Sequence, residues 1–559
     1  MTDRIAVARR AWPLLALLLL VVSTLVLEAC SRRDEAEKAH EQPAQATQAP
    51  ASGGTYRRPL GYEPASLDPA KLTDSSGMAV ANQIFDSLVE FDAHLNVLPA
   101  LAQSWSASRD GLTWTFNLRQ GVKFHNGREM VADDVMYSLS RLLDPAVRSK
   151  FPGALFKVEG ASAFQAGRAD KLQGVRVIDR FTVQITLSEP FAPFVSVLGL
   201  PHLAVIPRED VERLGAEFDL SPVGTGPFRF VRWEKGHEIV LDANEHYFRT
   251  RPVLDHIRFV IFGGNRWEDM LAAFERQELE ESPIPPNRRK ELLETDKYKV
   301  IQKPTLSLLL VGFNSEIPPF DKREIRQAFN YAIDKVSFNR EIRGDRFVLA
   351  KGILPPGMPG YNPEVQAYSY DPDKAKKLLA EAGFPGGKNL DPAIWASSSK
   401  TPVARQDYQL VKQTMAQLGI QLELNEFDNW PVFQQALEQG TQQMFRYAWS
   451  ADYPDPDSFL YPMFHSRSVT NYFRYRNPMV DRLLDEARRE TDDLRRVKLY
   501  REAEQAILND APAVMILHFT TEKLFQPYVK GIELSALGES YIPMWKISLN
   551  SVGQATTSK

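Results

Sequence analysis

The chain has 559 residues, with 43% apolar, 25% charged and 10% aromatic side chains and a formal net charge of −4. This ordinary globular mix excludes a disordered, collagen-like or multi-span membrane chain, and the balance of charge gives no support to a nucleic-acid partner. A single cysteine, Cys30, excludes an intramolecular disulfide, a cysteine-built zinc site and a CxxC redox pair.

The first twelve residues carry Arg4, Arg9 and Arg10, and an uncharged run of 14 residues from Leu14 to Leu27 then leads to Glu28-Ala29-Cys30. A basic start, a short apolar stretch and a small residue before the cut describe a secretory signal over residues 1–29. Fourteen residues rise about 21 Å as a helix, short of the roughly 30 Å hydrocarbon core of a bilayer, so a permanent span is disfavoured. Leu27-Glu28-Ala29-Cys30 resembles a bacterial lipobox, in which the cysteine is lipidated and becomes the first residue. Glu28 departs from the small or apolar residue usual there, and a plain secretory signal is the alternative. Residues 30–54, rich in Ala, Gln, Glu and Pro, cannot bury a core and read as a flexible tether.

Residues 55–59 read as a strand, and 78–89 as a helix with Val80, Ile84 and Leu88 on its apolar face. Leu112, Trp114, Phe116 and Leu118 alternate with Thr113, Thr115 and Asn117, the pattern of a half-buried strand. Asn126-Gly127 marks a hairpin turn, because both residues tolerate positive φ, and gives His125 a structural setting. Residues 132–143 form a helix with Asp133 and Asp134 where its dipole favours them. Residues 176–187 and 226–241 supply two more strand pairs, the second turning at Glu234-Lys235-Gly236.

The texture changes near Leu306. A continuous apolar strand at 306–313 is followed by helices at 322–333 and 371–382. Strand 392–396, helix 402–418, strand 420–426, helix 430–440 and strand 443–450 then alternate, which predicts parallel pairing in an α/β lobe. Helices at 478–490 and 492–509 and a last strand at 514–520 precede an irregular tail. A β-rich half thus meets an α/β half, and strands 306–313 and 514–520 are the natural crossings between them.

Among chemical motifs, Gly224-Thr225-Gly226 is too short for a dinucleotide fingerprint and opens a strand, and there is no P-loop, GxSxG or HExxH. Nine scattered histidines suggest no metal set. The strongest constellation is Arg446-Tyr447-Ala448-Trp449-Ser450-Ala451-Asp452. Strand alternation puts Arg446, Ala448, Ser450 and Asp452 on one face, so a cation and an anion could meet the two ends of a zwitterion through charge-assisted hydrogen bonds. Asp452 as a turn cap and Arg446 as a structural ion-pair partner are the alternative readings. Asp455-Pro456 reads as an N-cap followed by a first-turn proline, with Asp457 favoured by the helix dipole. Tyr447 and Trp449 fall on the opposite, core-facing side. Ser397-Ser398-Ser399 ends a strand just before a helix, where ligands collect in α/β sheets, although a helix cap is the plainer reading.

Seven blocks in order resemble the extracellular solute-binding proteins of peptide-type ABC importers, family 5. They are Glu63-Pro-Ala-Ser-Leu-Asp-Pro69, Ile84-Phe-Asp-Ser-Leu-Val89, the stretch from Gly111 through Trp114 to Gly127, and Pro222-Val-Gly-Thr-Gly-Pro-Phe228. Arg326-Gln-Ala-Phe-Asn-Tyr-Ala-Ile-Asp-Lys335, Asp371-Pro-Asp-Lys-Ala-Lys-Lys-Leu-Leu379 and Trp449-Ser-Ala-Asp-Tyr-Pro-Asp-Pro-Asp-Ser-Phe459 complete the set. The resemblance implies an α/β, bilobal periplasmic-binding-protein fold with a mixed α+β first lobe, two crossing segments and an extra subdomain in the first lobe. It places the first lobe at 55–305 with a subdomain at about 86–203, the second at 306–520, and a return to the first lobe at 521–559.

It also implies that Asp452 anchors a peptide amine and Arg446 a carboxylate, with Trp449, Ser450, Ser398 and Thr73 beside the ligand. The expected protein is not an enzyme and carries no cofactor or metal. It is a monomeric, lipid-anchored receptor of the periplasm or outer cell surface, partnered by a peptide and by an ABC permease with its ATPase subunits. A nickel chelate, haem or another small solute as ligand, and a surface sensor or chaperone without a permease, are the alternatives.

Overall fold

The computed structural model describes residues 53–550 apart from Lys150, Asn265 and Ser399. The export signal, Cys30 and nearly all of the tether therefore lie outside the described residues. Strand β1 (Thr55–Leu60) leads to helix α1 (Ser75–Ile84), which starts where the Asp74 carboxylate accepts the Gly77 N–H at 2.8 Å. Periodicity alone places this helix at 78–89. It ends earlier because the Ile84 carbonyl accepts the Gly226 N–H at 2.8 Å and Phe85 turns to an extended conformation.

Strands β2 (Ala102–Ala107), β3 (Thr113–Leu118), β4 (Val175–Asp179) and β5 (Thr182–Thr186) form a four-stranded sheet in the order β2-β3-β5-β4. Helix α2 (Ala132–Leu143) packs on it. Trp114, Phe116 and Leu118 from β3 and Val183 and Ile185 from β5 share a core with Val135, Leu139 and Leu142. Burying each such side chain contributes about 1.5–3 kcal/mol. Strands β6 (Phe228–Glu234), β7 (Glu238–Ala243) and β8 (His256–Ile261) join β1 in a second sheet, in the order β1-β8-β7-β6. Its core is completed from the far end of the chain by Ile542, Met544, Ile547 and Leu549. Helix α3 (Trp267–Glu275) follows.

The third sheet contains β9 (Glu281–Pro283), β10 (Lys299–Phe313), β11 (Ala393–Ser397), β12 (Leu422–Glu426), β13 (Met444–Ser450) and β14 (Ala513–Phe525), in the order β9-β14-β10-β13-β11-β12. Strand β11 runs parallel to β12 and β13, as helical crossovers require, whereas β10 is antiparallel to both β13 and β14. Alternation along β10 divides two cores. Leu309, Val311 and Phe313 face α4 (Arg323–Ala332), α5 (Lys335–Arg343), α6 (Pro372–Glu381) and α7 (Pro402–Ala416). Leu308 and Leu310 face α8 (Trp430–Glu438), α9 (Asp457–Phe464), α10 (Pro478–Arg489) and α11 (Asp493–Asp510).

Both β10 and β14 are longer than their apolar runs. Residues 299–305 of β10 are half-exposed or exposed and 308–313 are mostly buried, so hydrophobicity signals only the second half. The extra length makes a two-stranded ribbon that runs on beyond β13 to the edge strand β9 of the same sheet, where Glu281 pairs with Phe525 and accepts the Tyr56 hydroxyl of β1. Its register shifts between Pro304 and Leu308, where proline removes a ladder donor. No helix among the described residues is long and apolar enough to cross a membrane.

The Gly224-Thr225-Gly226 turn serves a close approach of backbones. A Cβ on Gly226 would lie 2.5 Å from the Ile84 carbonyl oxygen. Gly226→Ala is expected to destabilise the protein by about 1–3 kcal/mol through overpacking, read as a lower urea midpoint. An unchanged midpoint would contradict this packing.

Candidate functional site

A cleft of about 900 Å³ lies between the first-half sheets and the third sheet. One wall is Thr73, Ser75, Ser76 and Met78 around the start of α1, with Leu200 and His202. The other is Thr305 and Ser307 of β10, Ser450 at the end of β13 and the following Asp452. Thr520, Thr521, Glu522 and Lys523 of β14, and Glu539, Ser540 and Tyr541 of the C-terminal return, line its base. Met78, Phe151, Leu200, Trp267 and Met270 give it apolar surface. A separate cavity of about 110 Å³, lined by Asp86, Tyr247 and Trp545, lies behind Leu537 and Tyr541.

The Asp452 side chain is open to the cleft, and no hydrogen bond or ion pair among the described residues takes its carboxylate oxygens. The surrounding protein desolvates it and pushes its carboxyl up to about 6. The backbone that carries it is held firmly. The Asp452 N–H donates to Ser458 Oγ at 2.8 Å, and the Ser458 carbonyl accepts Trp449 Nε1–H at 2.7 Å. Asp455 accepts the Asp457 N–H at 2.9 Å, one residue ahead of the N-cap Pro456 where the helix starts, and it also forms a buried ion pair with Arg496. Asp457 is more than a first-turn acid. It is fully buried, takes Arg488 Nε at 2.6 Å and Nη2 at 2.9 Å, and accepts the Tyr453 hydroxyl at 2.7 Å.

The sequence-derived candidates separate. Thr73, Ser450 and Asp452 line the cleft; Arg446, Trp449 and Ser398 do not. Arg446 shares the expected strand face, but α7 lays the fully buried Asp407 over it. Arg446 Nε sits 2.8 Å from Asp407 Oδ2, and Arg343 Nη2 holds the same carboxylate at 2.8 and 2.9 Å. Arg446 is thus the structural ion-pair partner, correcting its placement beside the ligand. Trp449 packs 6.1 Å from Tyr447 in the core with its N–H spent on Ser458. Ser398 follows β11, and the cap of α7 is Thr401, whose Oγ1 accepts the Ala404 N–H at 3.3 Å. His125 is structural: Nε2 lies 3.0 Å from the Gly226 carbonyl and burial lowers its pKa to about 4.

The charges at the base of the cleft are absent from the sequence-derived set. Lys523 lies between Glu281 and Glu539, the latter at 2.7 Å, and the Arg58 guanidinium donates to the Glu539 carbonyl at 2.7 Å. Beside them, buried Glu522 accepts Arg289 Nη2 at 2.7 Å and Gln302 Nε2 at 2.8 Å. Thr521-Glu522-Lys523 reads in sequence as the end of a strand, because buried charge is rare. Partners 220 to 242 residues away are what allow the strand to continue through them. Among the described residues no group of three His, Cys, Asp or Glu side chains is placed to hold a metal ion.

The family described as "Bacterial extracellular solute-binding proteins, family 5 Middle" matches residues 96–471. The chain is 33% identical over 550 residues to "Heme-binding protein A" of Haemophilus influenzae, covering 94% of this chain and 97% of that protein. It is 30% identical over 505 residues to the "Dipeptide-binding protein" of Escherichia coli, covering 86% and 92%. Among solved structures it resembles the unliganded open form of the periplasmic murein tripeptide-binding protein MppA. There the TM-score is 0.79 at 25% identity, over 89% of this chain and 98% of that one.

Arg488→Ala would strand Asp457 as an uncompensated buried charge beneath the Asp452 loop. The expected cost is about 3–5 kcal/mol, measured by chemical denaturation. A cost below about 1 kcal/mol would contradict the clamp.

Proposed function

We propose that this chain, which belongs to the bacterial extracellular solute-binding proteins of family 5, is the substrate-binding subunit of an ABC importer and captures peptides in its interlobe cleft. The unpaired Asp452 carboxylate carries the reading. A partly desolvated anion without a counter-charge is complementary to a ligand ammonium, which supplies both the missing charge and the missing donors. Thr305, Ser307, Ser450, Thr520 and Thr521 offer polar contacts along an extended backbone, and Met78, Phe151, Trp267 and Met270 offer broad apolar surface for side chains. The similarity to dipeptide- and murein-tripeptide-binding proteins supports the same ligand class, and the family's role supports binding without chemistry at the site. Haem, named for one relative, is favoured less: His202, the imidazole lining the cleft, has Nε2 3.3 Å from the Leu72 carbonyl and its ring stacked 4.2 Å from Phe151.

In this reading residues 55–305 with 521–559 form one lobe, with a subdomain at about 86–203, and 306–520 the other. The β10–β14 ribbon is the hinge, bending at the register shift near Pro304. Ligand that contacts both walls biases an open–closed equilibrium. The export signal, Cys30 lipidation and the 30–54 tether would hold a monomeric receptor at the membrane, in the periplasm or on the outer surface, beside the permease and its ATPase subunits.

Binding of a free-amine peptide needs ionised Asp452, so affinity is expected to fall about tenfold per pH unit below about 6 and to level off above it. Asp452→Asn should weaken binding at least tenfold at pH 7.5 and flatten this profile, as read by calorimetry. A pH-independent affinity between 5 and 8 would remove Asp452 from the site. If haem raises the melting temperature and no di- to pentapeptide does, the ligand assignment fails. Cys30→Ser should move the exported protein from the membrane to the soluble fraction; a wild-type protein already soluble would contradict the anchor.

A further inference from the structure

We propose that Arg346 is the anion anchor of the cleft, holding the C-terminal carboxylate of the peptide whose amine meets Asp452. The inference rests on the peptide reading above and assigns the opposite end of the ligand. Among the described residues the cations lining the cleft are Arg58, Arg346 and Lys523, besides His202, which burial keeps uncharged by lowering its pKa to about 4. Arg58 is spent on the Glu539 carbonyl at 2.7 Å and stands 3.3 Å from Glu281. Lys523 is held between Glu281 and Glu539.

Arg346 differs. Its Nε–H is buried without an acceptor, as is that of Arg58, but unlike those of Arg58 its Nη groups make no hydrogen bond among the described residues. Its nearest carboxylate oxygen, Glu522 Oε2 at 3.3 Å from Nε, already accepts Arg289 Nε at 2.9 Å, while Oε1 takes Arg289 and Gln302. Asp345 lies near Arg289, and Glu539 acts on Arg346 from a distance, but neither forms an ion pair with Arg346, whose Nη donors stay unused. The Arg346 side chain is 20% exposed and is positioned by the Trp267 ring at 5.4 Å and the Phe347 ring at 5.6 Å, with Trp267 itself lining the cleft. A planar guanidinium with free donors on an aromatic wall suits two parallel hydrogen bonds to a carboxylate.

The sheet sets the span between the two anchors. Ser450 pairs with Ser307, and Gln302 with Glu522, across β13-β10-β14. The backbones at Asp452 and Glu522 are therefore two strand spacings apart and displaced by about three residues, or about 14 Å. An extended peptide of about three or four residues fits that span.

Tri- and tetra-alanine, each as free acid and as C-terminal amide, test the assignment by calorimetry at pH 7.5. The wild type is expected to bind the acids at least tenfold more tightly than the amides. Arg346→Ala should weaken the acids about tenfold, leave the amides unaffected and so erase the difference; Arg346→Lys should restore part of it. Equal wild-type affinity for acid and amide, an equal loss of both in Arg346→Ala, or erasure of the difference by Arg446→Ala instead would overturn the assignment while leaving peptide capture intact. Failure of every peptide to bind the wild type would overturn both.

Discussion

One unpaired carboxylate, held inside a cleft whose protein walls desolvate it, is the constraint on which the site depends. The loop that carries this Asp452 carboxylate is fixed: its N–H and neighbouring indole are tied to Ser458, and its two following aspartates are locked to Arg496 and Arg488. The buried pairs gain little net stability from their own charges, because desolvation offsets the attraction. Their contribution is positional: neither aspartate can leave its arginine without stranding a charge.

The same logic governs the base of the cleft. A ribbon of two strands must connect two bodies and carry a cluster of charges through a low-dielectric region. Glu281, Lys523, Glu539 and Arg58 neutralise one another, so that part of the ribbon presents dipoles rather than net charge. Beside them, Arg289 and Arg346 share Glu522, with Asp345 near Arg289.

Much of this architecture is legible in the sequence, because periodicity reports burial. The alternation at Trp114 and Phe116 marks a half-buried strand, and the strand–helix alternation from residue 392 onward marks the parallel part of the large sheet. The strand at 299–305 escapes because it is half-exposed and lacks an apolar run, and that at 521–525 because its buried charges are hidden by pairing. The same limit applies to the site. Asp452, Ser450 and Thr73 are reached from strand alternation and family resemblance, and they line the cleft. Arg446 is misplaced because alternation fixes its face but says nothing of α7, which brings Asp407 over it from 39 residues away. Arg346 carries no local pattern at all. Its distinction is that every neighbouring acid is already satisfied, which only the folded arrangement reveals.

The most direct test of the account is calorimetry of tri-alanine against its N-acetylated form with the wild-type protein at pH 7.5. Acetylation removes the ammonium and leaves the rest of the peptide unchanged. The account predicts measurable binding of the free-amine peptide and a loss of at least tenfold in affinity on acetylation. Equal affinity for the two would contradict it, because the cleft would then recognise its ligand without using the charge of Asp452.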